Sequence, residues 1–221
     1  MDLEESVALA KRDTAEMMAA VGEMLVTWNG LETQVRNLLV LIVSAPEEHL
    51  MRAAGDTNVK KARRRAELLT TTLKAVELGL KLRAFSVVCT PLQAEHIKHL
   101  ADLFDRLREY RNFYVHGMRA PGASVATDGS VTTTALAVQT VVRKSLAIRS
   151  VRFGIDALHL FRDKMWETGR YVDPISHDLI NPDLPDNQRS PMFPPLHQLA
   201  KPAIPPKLVP DTQVLLGEPI E

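Results

Sequence analysis

Arg111, Asn112 and His116 stand within six positions of one another in the run Leu107-Arg108-Glu109-Tyr110-Arg111-Asn112-Phe113-Tyr114-Val115-His116-Gly117. A guanidinium can hold a phosphodiester and stabilise charge building on it, an imidazole can move a proton, and an amide can orient either group. Two other clusters invite chemistry. Lys60, Lys61, Arg63, Arg64 and Arg65 form a concentrated positive run that could follow an RNA backbone, or else a solvated helix face. Glu95, His99 and Asp102 share one helical face beside His96; three such side chains on one exposed helix face more often simply meet solvent, and no metal site is expected there. Cys89 is the single cysteine, which leaves neither an internal disulfide nor a multi-thiolate metal centre. It reads as a small buried residue.

The elements that must position these residues are helical. Leu3, Val7, Ala10, Thr14, Met17, Val21, Met24, Trp28, Leu31, Val35, Leu38 and Ile42 alternate steps of three and four, a helical seam. Asn29-Gly30 is the place for a kink or break, and Pro46 is expected to end the segment. A second helix, capped by Asp56 or Asn58, is predicted to run to about Leu82. Thr90-Pro91 reads as N-cap and first residue of a third helix with seam Ile97, Leu100, Phe104, Leu107, Arg111 and Tyr114, and Gly117 suits its end.

On that third helix Arg108, Asn112 and His116 follow at i, i+4 and i+8 along one stripe. Arg111 falls instead on the apolar seam, about 140° from His116 on an ideal helix. That separation predicts that two crossing helices of a symmetric pair, rather than one chain, bring arginine and histidine together. Beyond Gly117, Asp128-Gly129 between short β-prone runs is a hairpin signal for residues 123–134. A fourth helix is predicted from about Arg143 to Arg170. Eleven of the fourteen prolines lie between Pro174 and Pro219, so the end of the chain is expected to be extended, disordered or laid along the body.

The spacing Arg111-Asn112-x3-His116 resembles the Arg-x4-6-His signature of the HEPN superfamily, where Asn commonly follows the Arg. Trp28-Asn29-Gly30-Leu31-Glu32 also looks like the aromatic-x-x-Leu-Glu pattern of some such proteins. The resemblance covers about residues 15–170 and implies an all-α, HEPN-like bundle of four to five helices, here with a small β-hairpin insertion and an extended proline-rich C-terminal tail. The corresponding domains are 1–172 and 173–221. It further implies a homodimeric, metal-independent endoribonuclease without cofactor, toxin-like or phage-defence related, with RNA as substrate and an antitoxin or regulatory protein as a possible partner. In that reading Arg111 binds the scissile phosphate, His116 is general base or acid, and Asn112 orients them, with Arg108, Tyr114 and Glu32 in support. The alternative is a noncatalytic helical interaction module that binds a protein partner.

Composition bounds the partners. Lys+Arg and Asp+Glu balance at 27 each, so no global field draws the chain to nucleic acid and RNA binding would have to be local. Aromatic residues make up only 5%, which argues against an extended base-stacking platform. The acidic start Met1-Asp2-Leu3-Glu4-Glu5 is unlike a secretory signal. No apolar run approaches the roughly 20 residues a membrane span needs. A cytoplasmic protein is the expectation.

Overall fold

A computed structural model describes residues 3–53, 60–71, 74–117, 122–125, 131–142 and 145–217. Among the described residues five helices dominate: α1 (Leu3–Ala53), α2 (Lys60–Thr71), α3 (Ala75–Phe85), α4 (Pro91–Gly117) and α5 (Ile155–Ile180). Four strands, β1 (Gly122–Val125), β2 (Val131–Val142), β3 (Ser145–Phe153) and β4 (Asp211–Gly217), make one antiparallel sheet in the order β1-β2-β3-β4. The chain divides into two compact units. One takes Met1–Trp28, Glu109–Lys164 and Pro206–Glu221; the other takes Asn29–Arg108 and Met165–Pro205.

The first unit holds the start of α1, the end of α4, the sheet and the start of α5. Met17, Val21, Met24 and Trp28 of the α1 seam are buried, as the three-four periodicity requires. One face of the sheet is closed by Ala135, Ala137, Ala147 and Phe153, all buried. Ala135 pairs with Phe153 and Val141 with Ala147, so these residues share a face by the two-residue period of a strand. Tyr114 packs against Phe153 (4.6 Å between ring centroids) and Phe161 (5.7 Å), tying α4, β3 and α5 together.

The second unit buries Leu31, Val35, Leu38 and Ile42 of α1 with Leu78, Leu82, Ile97, Leu100 and Phe104. Its α4 begins with a reciprocal cap. Thr90 Oγ1 accepts from the Gln93 amide at 3.3 Å while Gln93 Oε1 accepts from the Thr90 amide at 3.0 Å. The proline-rich segment docks here. Arg189 pairs with Asp178 at 2.9 Å, His177 stacks on Phe193, and His99 Nε2 donates to the Pro202 carbonyl at 2.8 Å. His96 accepts from the Tyr171 hydroxyl at 2.7 Å and bonds the Leu196 backbone, and Lys201 reaches Glu95.

Several expectations are corrected. α1 passes through Asn29-Gly30 and Pro46 without ending, because the buried seam on either side of Gly30 outweighs the roughly 1 kcal/mol penalty of a helical glycine. The predicted second helix is two, α2 and α3, separated at Lys74, whose extended backbone (ψ 157°) caps α3 with Glu77. Asp56 and Asn58 lie outside the described residues. The predicted fourth helix starts at Ile155; residues 145–153 are strand β3. The hairpin is therefore two strands of a four-stranded sheet, and the strictly all-α expectation gives way to a mostly helical fold carrying a small sheet. Neither is the end of the chain merely extended, since α5 continues through Pro174 to Ile180 and residues 211–217 add the fourth strand.

Candidate active site

The last two turns of α4 carry Arg111, Asn112 and His116, and the structure brings all three together within one chain. Arg111 Nη1 lies 3.1 Å from His116 Nε2 and 3.0 Å from Asn112 Oδ1. The ideal-helix angle suggested that a second copy would be needed to close the pair. The correction is side-chain reach: the three-methylene stem of arginine carries the guanidinium around the last turn to the imidazole.

A guanidinium can only donate, so His116 Nε2 accepts and this arrangement places the imidazole proton on Nδ1. Asn112 Oδ1 holds the same Arg111 nitrogen, so one Nη1 serves two acceptors. Arg111 is half-buried, His116 is exposed, and the Arg111 Nε is inaccessible and unbonded. Among the described residues no carboxylate forms an ion pair with Arg111 or His116. The cluster therefore presents positive charge and donors with an acceptor lone pair, the complement of a phosphodiester bearing a hydroxyl.

The sheet holds this end of α4 in place. A Cβ added to Gly117 would sit 3.0 Å from the Val138 amide nitrogen and 3.2 Å from its carbonyl oxygen, so glycine is what lets β2 come this close. One residue further along β2, Gln139 Nε2 donates to the Asn112 carbonyl at 3.3 Å. Gln139 falls between the hairpin and the expected fourth helix, in a stretch with no turn or cap signal to mark it. A strand signal was present: Val131, Thr132, Thr133, Thr134, Val138, Thr140, Val141 and Val142 are β-branched residues suited to a strand.

The three supporting residues are engaged elsewhere. Arg108 approaches Asp105 at 3.6 Å, in the second unit, so the i, i+4, i+8 stripe is not one interacting group. Tyr114 is buried among aromatic rings and its hydroxyl is pushed up to about 12 by that burial, which suits packing rather than proton transfer. Glu32 pairs with Arg36 at 3.1 Å. In the basic run, Lys60 and Arg64 are exposed on α2, whereas the side chains of Lys61, Arg63 and Arg65 lie outside those described.

Glu95, His99 and Asp102 each have another partner, namely Lys201, the Pro202 carbonyl and Arg83. Among the described residues no group of three or more His, Cys, Asp or Glu is arranged to hold a metal ion. A cavity of about 240 Å³ in the second unit is lined by Ile42, Val88, Leu179, Pro182 and Cys89. Burial pushes the Cys89 thiol up, away from the thiolate a nucleophile needs.

No helix among the described residues is long and apolar enough to cross a membrane. Comparison with family models, with curated proteins and with solved structures found no match to the chain.

Proposed function

We propose that the chain is a metal-independent endoribonuclease whose active site is Arg111, Asn112 and His116. The observation that carries this reading is the 3.1 Å contact between Arg111 Nη1 and His116 Nε2 on a helix end where neither has a carboxylate partner among the described residues. The resemblance of Arg111-Asn112-x3-His116 to the HEPN signature supports the same assignment.

The chemistry follows from the donors present. A substrate phosphate competes for the Arg111 guanidinium, because a charge-assisted pair with an anion is stronger than a bond to a neutral imidazole. As Arg111 turns to the phosphate, His116 Nε2 loses its donor and becomes free to take the proton of the neighbouring 2′-hydroxyl. The 2′-oxygen attacks phosphorus, Arg111 stabilises the charge on the non-bridging oxygens, and the 5′-oxygen leaves with a proton. The products are a 2′,3′-cyclic phosphate and a 5′-hydroxyl. Asn112 keeps the guanidinium aimed, and Gln139 keeps Asn112's turn of helix in place.

Attack and departure need one base and one acid, and among the described residues the site of one chain offers one imidazole. A homodimer in which a second His116 faces the first would supply both, and this is the assembly we propose. A cytoplasmic, toxin-like or defence-related role with a regulatory protein partner belongs to the same reading. The test is incubation of purified protein with RNA in EDTA followed by end analysis. Cleavage to 2′,3′-cyclic phosphate ends is expected; ends carrying a 3′-hydroxyl and 5′-phosphate would refute the mechanism.

A second reading, a noncatalytic module that binds a protein partner, is favoured by the exposed apolar side chains Val87 (77%), Val88 (56%), Phe85 and Leu92 at the junction of α3 and α4. A folded dimer that cuts no RNA, yet loses a partner on Val87→Asp, would select it.

A further inference from the structure

Gln139, which donates to the Asn112 carbonyl, stands directly opposite Arg149 in the β2–β3 ladder. Cross-strand partners project from the same face with Cβ atoms about 4.5–5.5 Å apart, so Arg149 issues from the sheet beside the end of α4. On its other side Arg149 pairs with Thr212 of β4, a neutral residue. Arg149 is half-buried, its Nε is sealed from solvent without a hydrogen-bond acceptor, and no carboxylate among the described residues pairs with it. Burying a guanidinium donor unpaired is costly, and among the described residues the ordinary remedy, an Asp or Glu paired with it, is missing. Arg111 Nε is in the same condition. Arg111 and Arg149, neither paired with an anion among the described residues, are thus linked through Gln139 and the Asn112 turn of α4.

We propose that Arg149 and Gln139 form a second phosphate subsite, on the helix-facing side of the sheet, that takes the RNA phosphate next to the scissile one. This deepens the nuclease reading and rests on it. The sheet is then the part of the molecule that reads the RNA strand, supplying through one planar guanidinium the affinity that a chain of zero formal net charge does not supply as a whole. Arg152 is the internal control. It lies on the same strand, three residues on, hence on the opposite face, and it is exposed.

The experiment measures binding of a short fluorescein-labelled single-stranded RNA to the full chain carrying His116→Ala, so that cleavage does not intervene. Arg149→Gln added to this parent should weaken binding about tenfold, the loss of one charge-assisted contact. It should also reduce the slope of log affinity against log salt by about 0.7, one phosphate contact on a single strand. Arg149→Lys should restore the salt slope but not the full affinity. It also serves where Arg149→Gln fails to fold, because a purely structural role leaves the slope unchanged. Arg152→Gln should leave both unchanged. Equal effects of Arg149→Gln and Arg152→Gln, with the parent binding RNA, would overturn the subsite alone. A folded parent that binds no RNA at any salt would overturn the subsite and the nuclease reading together.

Discussion

The two ends of α4 carry similar residue types in opposite circumstances. Towards its start, Glu95, His96, His99 and Asp102 each have a partner of complementary character: Lys201, the Tyr171 hydroxyl and Leu196 backbone, the Pro202 carbonyl, and Arg83. At its end, Arg111 and His116 have one another and Asn112. The first group is satisfied: Glu95, His96 and His99 hold the proline-rich segment, and Asp102 holds α3 through Arg83. The second is a cation resting on a neutral base with no anion supplied by the described residues. A polar cluster whose charges are already answered is structure; one left waiting for an anion is where a substrate can be bound and turned over.

That contrast can be broken by substitution, and the largest effects belong at the unanswered end. Arg111→Ala should lower RNA cleavage by roughly 10²–10³-fold, because the contact to the transition-state phosphate that the proposed mechanism assigns to it would be lost. Arg111→Lys should recover only part of this, since lysine keeps charge without the planar fork. Circular dichroism should show both variants folded. Gly117→Ala comes next. Its new Cβ meets the Val138 backbone at 3.0 Å, so stability should fall by about 1–3 kcal/mol in urea unfolding.

At the satisfied end the expected effect is smaller and depends on pH. His96 is buried, and that burial, followed by the positive charge of Lys201, holds its pKa below the ordinary imidazole value. Glu95 and the Leu196 carbonyl oppose the shift, His99 adds to it, and Tyr171 faces it as a hydrogen-bond donor. The unfolded chain then binds the proton more readily than the native one. Stability contributed by neutral His96 is full above the ordinary histidine range and is lost as pH falls through it, levelling off below the lowered native value. Melting temperature should therefore drop between about pH 7.5 and 5.5. His96→Gln should flatten that drop; an undiminished drop would assign it to other groups. The smallest effect is expected at exposed Arg64, where Arg64→Ala should weaken RNA binding slightly and only at low salt.

What could be read beforehand follows the same division. Helix starts and seams depend on local residues, so Thr90-Pro91, the buried face of α1 and the end of α4 at Gly117 were legible. Residues 145–153 were not, because Ile148 and Val151 are three apart and fit a helical step as well as a strand. Only pairing with β2 and β4 decides between them. Misreading that strand hid Arg149. The closure of Arg111 onto His116 was also hidden, because spacing on an ideal helix places backbone directions and says little about where a long side chain ends. The docked tail was open for a related reason: its binding rests on residues 103 and 106 positions away, His99 with Pro202 and Glu95 with Lys201, which no local pattern reveals.

The most direct test of the central claim is the cleavage rate of one RNA in EDTA by wild-type protein and by His116→Ala prepared side by side, with the products' ends identified. Wild type should yield 2′,3′-cyclic phosphate ends, and His116→Ala should cut roughly 10²–10⁴-fold more slowly, the usual cost of losing a general acid–base group. An unchanged rate in His116→Ala, or a folded wild-type protein that cuts no RNA, would contradict that claim.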